Sequence, residues 1–138
     1  MGALPPTVAN QILIVDDDVD LLMLLERKLL KQGFEVETAV SLPEAEEILN
    51  YFQPQLLLLD INLNGEDGRQ LSFKLKRSER HRSLQIIILS GYDYSASRAA
   101  LFGADELITK PVHMDYLLHR IEHHLLKGAN TLYKKDFP

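Results

Sequence analysis

The sequence contains no cysteine among its 138 residues. Without cysteine the chain can form neither a disulfide framework nor a thiolate zinc site, and this composition fits a reducing compartment. It also lacks any apolar run near the ~20 residues that a membrane-spanning helix needs. Its first residues show neither the basic region nor the apolar stretch of a signal peptide. These absences favour a cytoplasmic protein that does not enter a membrane.

Positive charge is also scarce, because 15 lysines and arginines face 20 aspartates and glutamates, for a net charge of −5. A nucleic-acid surface usually carries a clear basic excess, so direct binding of nucleic acid is not expected. The one basic cluster is Lys74, Lys76, Arg77, Arg80, His81 and Arg82. We interpret it as the solvated end of a helix and the loop that follows.

Short apolar runs alternate with longer helical patterns along the chain. The runs predict strands at 12–15, 35–40, 56–59, 86–89 and 107–109. Helical patterns follow each of them, the fourth being short and weak at 95–102. Five β–α units in strict alternation predict an α/β domain, with a parallel sheet covered by helices on both faces. We expect a disordered leader at 1–10, one domain at 11–127, and a tail or truncated linker at 128–138.

Local signals predict where the helices begin and end. Asp18 is expected to cap the first helix and Gly33 to end it. Ser41 with Glu44 forms a capping box for the second helix. Asp67 is expected to cap the third helix.

Polar side chains stand where the predicted strands end. Asp16 and Asp17 follow the first strand, Asp60 ends the third, Ser90 ends the fourth and Lys110 follows the fifth. In an open parallel sheet, ligands bind outside the carboxyl ends of the strands. We therefore expect these five side chains to converge on one site.

Three carboxylates at one place repel one another, since like charges ~4 Å apart cost on the order of 4 kcal/mol at an effective dielectric of 20. Such a cluster needs a base or a cation, and Lys110 supplies one positive charge. A divalent ion would balance the rest, and oxygen ligands select Mg²⁺ or Mn²⁺ over zinc. A carboxylate not fully committed to the metal could then attack phosphorus.

Four segments in this order resemble the receiver domains of two-component response regulators: ILIVDDD at 12–18, LLLLDINLNGEDG at 56–68, IIILSG at 86–91 and GADELITKP at 103–111. The resemblance covers residues 11–126. It implies a flavodoxin-like (βα)5 fold with three αβα layers and a five-stranded parallel sheet in strand order 2-1-3-4-5.

The resemblance also implies a role for each residue of the acidic site. Asp60 matches the phosphoacceptor. Asp17 and Asp60 match the direct ligands of Mg²⁺ (or Mn²⁺), the backbone carbonyl of Asn62 matches the third protein ligand, and Asp16 acts through water.

Further roles carry over to the ends of the last two strands. Ser90 matches the switch hydroxyl that bonds the phosphoryl group, and Lys110 matches the basic residue, with a cis bond expected before Pro111. The donor implied is a phosphohistidine of a sensor histidine kinase or a histidine phosphotransfer protein. An output domain or a homodimer is a further possible partner.

The sequence departs from the family pattern at several positions. Asn64 stands where proline is usual, Gly91 replaces the more common alanine, and Leu107 replaces an aromatic side chain that couples to the switch hydroxyl. The stretch from 90 to 110 is also shorter than usual, which trims the predicted fourth helix. The phosphorylation chemistry is therefore better supported than the usual form of output.

Other functions compete with this interpretation. A haloacid-dehalogenase-type phosphatase also uses a strand-end aspartate, but needs a second aspartate where Asn62 stands. A flavin module on the same fold would need a phosphate-binding loop in place of the acidic cluster at 16–18. A receiver that only mediates protein contacts is the third alternative. His119 and His123 match a zinc peptidase pattern, which we interpret as a solvated helix face. We expect no turnover enzyme, only a domain that catalyses its own phosphorylation and dephosphorylation.

Overall fold

The computed structural model describes residues 10–91 and 102–136. Its strands in chain order are β1 Gln11–Val15, β2 Glu35–Ala39, β3 Leu56–Asp60, β4 Asn62–Leu63, β5 Glu66–Asp67, β6 Gln85–Ser90 and β7 Glu106–Thr109. Its helices are α1 Val19–Lys31, α2 Leu42–Ile48, α3 Arg69–Lys76 and α4 Met114–Asp136, with one 3₁₀ turn at Glu79–His81. The predicted helix at 95–102 lies outside the described residues, except for Phe102.

Five strands form one parallel sheet in the order β2-β1-β3-β6-β7. The two-residue strands β4 and β5 pair only with each other, as a small antiparallel hairpin beside the end of β3. When the hairpin is set aside, the sheet strands lie in the order 2-1-3-4-5 along the chain. The predicted fold class and strand order are therefore confirmed.

Apolar side chains of the central strands face both ways, which makes three layers. One core cluster joins Leu13, Val15, Leu57 and Leu59 of the sheet to residues of α2 and α3. The other joins Ile12, Ile14, Leu56 and Leu58 to residues of α1 and α4. Continuous apolar strands are typical of a sheet buried on both faces. Within the described part of the chain, no helix is both long enough and apolar enough to cross a bilayer.

Several predicted helix ends are confirmed. The side chain of Asp18 accepts a hydrogen bond from the backbone N–H of Leu21 at 3.2 Å. The hydroxyl of Ser41 accepts one from the N–H of Glu44 at 3.3 Å. Gly33 has a φ of +93°, the left-handed conformation that ends many helices.

The predicted cap of α3 is wrong by one residue. Gly68 is the cap, and it has no side chain to accept a bond. The carboxylate of Asp67 still accepts from the N–H of Arg69 at 2.9 Å, so it satisfies one free donor from outside the helix.

The basic cluster is less solvated than we predicted. The ammonium of Lys76 lies 2.8 Å from a carboxylate oxygen of Asp105 and donates to the backbone carbonyl of Leu84 at 2.7 Å. His81 is buried as well. These contacts join residues distant in sequence, so the local charge pattern could not reveal them.

The last helix runs on from Met114 to Asp136, across the boundary at 127 where we placed the end of the domain. The helix therefore continues into the stretch 128–138, where we expected a tail or a truncated linker. The division of the chain at 10 and 127 stays a prediction.

Candidate functional site

Three carboxylates meet at the carboxyl ends of β1 and β3. Asp16, Asp17 and Asp60 each offer an oxygen, and these oxygens all lie within 4.8 Å of one another. Asp16 and Asp60 are buried, with 1% and 7% of their surface exposed, while Asp17 is partly exposed. The predicted convergence of the acidic residues is therefore present in the structure.

Lys110 reaches this cluster from the end of β7. Its ammonium lies 2.9 Å from a carboxylate oxygen of Asp16 and 3.7 Å from one of Asp60. Its backbone N–H donates to the carbonyl of Ser90 at 2.7 Å, which fixes the end of β7 against the end of β6. The bond from Lys110 to Pro111 is cis, as expected.

Backbone donors fix the orientation of the acidic pair. Asp16 accepts from the N–H of Asp18 at 2.9 Å, in addition to the lysine contact. Asp17 accepts from the N–H of Asn64 at 3.1 Å, which ties it to the β4–β5 hairpin. Both carboxylate oxygens of Asp16 are therefore bound by other groups of the protein, whereas the carboxylate of Asp17 is partly exposed to solvent.

The site opens into a cavity of about 470 Å³. Its lining includes Asp17, Asp60, Asn62, Ser90, Gly91 and Lys110. A methyl group placed on Gly91 would meet no atom within 4 Å, so this residue leaves one wall open. Ser90 lies at the end of β6, where its side chain is buried but its residue lines the cavity.

Gly68 is a site residue that the sequence analysis missed. A Cβ at this position would lie 2.1 Å from the backbone carbonyl oxygen of Asp60, far inside any real contact. Its N–H donates to the carbonyl of Ile61 at 2.6 Å. Only glycine therefore allows α3 to start directly against the residue that carries the central carboxylate. Its place in the quoted segment 56–68 was visible, but its contact with Asp60 was not.

The surroundings of Asp60 favour its protonated form. Burial raises the pKa of Asp60 to about 6, and the negative charges of Asp16 and Asp17 act in the same direction. The charge of Lys110 and a hydrogen bond from the backbone of Asn62 only partly oppose this. A cation beside this carboxyl group would offset the same repulsion, so the site strongly favours one.

Lys110 responds to the same charges in the opposite sense. Burial alone would lower the pKa of its ammonium, but the hydrogen bond with Asp16 and the charges of Asp16 and Asp60 outweigh it. The net result is a pKa above its usual value, so the lysine stays protonated at neutral pH.

The raised pKa of Asp60 predicts how the free energy of unfolding depends on pH when no metal is bound. Because the folded pKa of Asp60, about 6, exceeds the ordinary 3.8, the folded state holds its proton to higher pH. The free energy of unfolding should therefore fall as pH rises from about 4 to 6, by on the order of 1–2 kcal/mol after solvent screening. Urea unfolding in EDTA across this interval measures the fall.

The matched variants are Asp60→Asn, which should remove this component, and Asp20→Asn on the exposed first turn of α1, which should keep it. An identical pH profile in the native chain and in Asp60→Asn would contradict the assignment of the raised pKa.

The donor set fits a hard divalent cation. All the acidic ligands are carboxylate oxygens, one of them partly exposed, and a pocket lies beside them. Among residues 10–91 and 102–136, no second cluster of three ligating side chains satisfies the same distance test. His119 and His123 are exposed on α4, as the solvated interpretation predicted.

The face made by β7 and α4 shows how Leu107 is placed. Leu107 lies in β7 opposite Ile88 of β6 and is half-buried. The residue before it, Glu106, accepts from Arg120 at 2.8 Å and lies 2.6 Å from the ring of the buried His124. Charged contacts from α4 therefore hold β7 beside the position where an aromatic ring was expected.

Comparison with known proteins places this geometry in a family. Residues 12–122 match the family described as "Response regulator receiver domain". The photosynthetic apparatus regulatory protein RegA of Cereibacter sphaeroides is 32% identical over 123 residues, which cover 88% of this chain and 64% of RegA. The chain spans between 47% and 64% of the length of two curated relatives that it matches.

Solved structures show the same fold. A CheY-like receiver domain protein of Methanospirillum hungatei matches with a TM-score of 0.82 and 29% identity, over 90% of this chain and 99% of that one. The response regulator TrrA of Thermotoga maritima, in complex with Mg²⁺–BeF, matches with a TM-score of 0.74 and 27% identity. That match covers 83% of this chain and 98% of TrrA.

Proposed function

We propose that this chain, which belongs to the response regulator receiver domain family and has the phosphoacceptor role of two-component signalling, takes its phosphoryl group on Asp60. The observation that carries this assignment is the position of the Asp60 carboxylate. It faces the 470 Å³ cavity, within 4.8 Å of the other two carboxylates and 3.7 Å from the ammonium of Lys110. Asp16, by contrast, is bound on both oxygens within the protein.

The transfer step forms one bond to phosphorus and breaks another. A carboxylate oxygen of Asp60 forms a bond to phosphorus as the N–P bond of a donor phosphohistidine breaks, and the imidazole leaves with that electron pair and takes up a proton. Lys110 and the hydroxyl of Ser90 stabilise the charge on the transferring oxygens. Hydrolysis later reverses the outcome, since water attacks phosphorus, phosphate leaves and the carboxylate is restored. The response of Ser90 and Lys110 to the charge of the phosphoryl group biases the surface formed by β7 and α4.

Asp17, Asp60 and the backbone carbonyl of Asn62 are the residues we assign to Mg²⁺, with Asp16 acting through water. A bound Mg²⁺ supplies positive charge that offsets the repulsion between the carboxylates and the phosphoryl oxygens. Support comes from the oxygen-only donor set and from TrrA, a similar protein whose structure is a complex with Mg²⁺–BeF. Mn²⁺ satisfies the same ligand preferences.

The donors we propose are a sensor histidine kinase or a histidine phosphotransfer protein, met in the cytoplasm. An output domain or a second copy would read the phosphorylated state, and no direct binding of nucleic acid or membrane is part of the proposal. We also propose that the domain turns over no other substrate. The phosphatase alternative is not favoured, because the family match is to receivers and Asn62 stands where that class needs an aspartate.

Removal of one metal ligand gives a direct test. Asp17→Asn is expected to weaken Mg²⁺ binding at least tenfold, since it removes one charge from a ligand that faces solvent. Calorimetric titration measures the affinity, and Asp20→Asn, on the exposed first turn of α1 and not part of the cavity lining, serves as the charge-matched control. Equal affinities in the two variants would argue against Asp17 as a ligand.

A second test follows the response to the phosphoryl group. Beryllofluoride with Mg²⁺ is expected to shift the amide resonances around Ser90 and Lys110, since the ammonium of Lys110 lies 3.7 Å from the Asp60 carboxylate and Ser90 lines the same cavity. Amide NMR spectra of the native chain and Asp60→Asn provide the comparison. If shifts were confined to the loop after Asp60, Leu107 would have uncoupled the switch and the proposed output face would be wrong.

A further inference from the structure

A surface on α3 combines exposed aromatic rings with arginines, away from the β7–α4 face. We call it the Arg–Phe patch and define it by Arg69, Phe73, Arg77 and Phe102. Arg69 and Phe73 of α3 and its C-cap Arg77 are spaced by four residues, so they share one helix face. The guanidinium carbon of Arg77 lies 5.1 Å from the ring centre of Phe73, and that of Arg69 lies 4.7 Å from the ring centre of Phe102.

The two rings of the patch are open to solvent. Phe73 is 51% exposed and Phe102 is 37% exposed, with their ring centres 6.4 Å apart in an edge-to-face arrangement. Together with Gln70 they line a shallow cavity of about 310 Å³. Aromatic and arginine side chains are enriched at the centres of protein interfaces, where they supply much of the binding energy.

The backbone at Phe102 is held in a conformation that burial does not explain. Its φ is +48°, in the left-handed region that bulky residues avoid. The hydroxyl of the fully buried Ser72 donates to its carbonyl at 3.0 Å and anchors it to α3. The fold therefore keeps a strained aromatic residue at the surface, beside Arg69, where a functional role is a natural explanation.

The charges of the patch are unequally satisfied. Arg69 is paired with Asp67 at 2.8 Å. Arg77 contacts the ring of Phe73 but, within 10–91 and 102–136, has no carboxylate partner. In a chain with a net charge of −5, an exposed arginine that has no carboxylate partner among the described residues and lies over an exposed ring favours an incoming carboxylate.

We propose that the Arg–Phe patch docks an acidic segment of a partner protein. One apolar side chain of that segment fills the cavity between Phe73 and Phe102, and a neighbouring carboxylate pairs with Arg77. This interaction goes beyond the proposed phosphoacceptor function, and it uses a different surface from β7 and α4.

Other occupants fit the charges less well. A nucleic acid carries a phosphate at every nucleotide, and the acidic cavity that includes Glu66 and Asp67 lies beside the patch. A second copy docked patch to patch by two-fold symmetry would bring two surfaces of the same positive charge together. A peptide with one or two carboxylates avoids both repulsions.

The patch also touches the phosphoacceptor site. Asp67 lines the cavity at Asp60, and Arg69 connects Asp67 to the ring of Phe102. Binding to the patch needs no phosphoryl group, however, so it is measured on the unphosphorylated chain. Failure at the patch and failure of Asp60 to accept a phosphoryl group are therefore separate results.

The test is a selection of random displayed peptides against the full unphosphorylated chain. We expect the enriched peptides to carry an apolar residue flanked by aspartate or glutamate. Binding of an enriched peptide should weaken at least roughly tenfold in Phe73→Ala and in Arg77→Glu. Because both side chains are exposed, the variants should keep the native circular dichroism spectrum.

Two matched controls stand outside the patch. Tyr51→Ala removes an exposed ring beyond α2, and Arg27→Glu reverses an exposed charge on α1; both should bind the peptide as the native chain does. Amide shifts on titration should centre on Gln70, Phe73 and Phe102.

Two kinds of result would overturn the proposal. The selection could enrich basic or uncharged peptides, or no peptides at all. Alternatively, Phe73→Ala could bind an enriched peptide as tightly as the native chain does. Two further measurements test the rival occupants directly: tighter binding of single-stranded oligothymidine than of the peptide, or a dimer in solution that Arg77→Glu dissociates, would each replace the acidic partner.

Discussion

Replacing Asp60 by asparagine is expected to abolish the gain of one phosphoryl group that acetyl phosphate and Mg²⁺ produce in the native chain. Asparagine keeps the shape of the side chain but offers no carboxylate oxygen to attack phosphorus. Intact-mass spectrometry after incubation with acetyl phosphate measures the gain directly. The expected loss is complete, since Asp16 is buried and held by Lys110 and a backbone N–H.

The control for this result is Asp20→Asn, which removes the same charge from the exposed first turn of α1. It should take up phosphoryl groups as the native chain does. Uptake by Asp60→Asn at the native level would mean that another group accepts phosphate. Loss of uptake in both variants would point to a general effect of charge.

The second large effect is expected from Gly68→Ala. The added methyl carbon would lie 2.1 Å from the carbonyl oxygen of Asp60, against backbone rather than a flexible side chain. Either α3 or the end of β3 must move, which should lower the free energy of unfolding by about 3 kcal/mol or more. Phosphorylation by acetyl phosphate should slow as well, because the displaced residue carries the phosphoacceptor.

Gly91→Ala is the matched control, since its methyl group would meet no atom within 4 Å and its φ is not in the left-handed region. We expect its stability to stay within about 0.5 kcal/mol of the native value. Urea unfolding compares the three chains. Equal stabilities for Gly68→Ala and Gly91→Ala would show that the close approach at Asp60 does not constrain the fold.

The sequence predicted the parts of the site that depend on strand ends. A parallel sheet brings the carboxyl ends of its strands to one edge, so residues 16, 17, 60, 90 and 110 could be grouped before any coordinates existed. The apolar runs predicted the strands β1, β3 and β6 of a sheet covered by helices on both faces, which the structure confirms. Periodicity predicted the parallel sheet with helices on both faces, and the family resemblance implied its strand order.

Contacts between distant residues were beyond the sequence pattern. The need for glycine at 68 comes from the backbone of residue 60, which only the folded chain brings near. The solvated interpretation failed at Lys76 because its partner, Asp105, lies 29 residues further along the chain, directly before β7. The cap of α3 was misplaced by one residue because Asp67 bonds the helix from outside its first turn.

On the β7–α4 face, Leu107 departs from the family pattern, and charged contacts join β7 to α4. Leu107 cannot supply the aromatic ring that the resemblance implies at that position. Glu106 instead connects β7 to Arg120 and His124 of α4. Movement of Lys110, four residues after Glu106, would therefore reach α4 through charged contacts as well as apolar packing.

The most direct test of the account is to locate the phosphoryl group chemically. Borohydride reduces an aspartyl phosphate to homoserine, so the native chain is treated with acetyl phosphate and Mg²⁺, reduced, digested and analysed by peptide mass spectrometry. We predict homoserine at position 60 and aspartate at positions 16 and 17. Homoserine at 16, 17 or 67, with position 60 unchanged, would contradict the assignment of Asp60 as the phosphoacceptor.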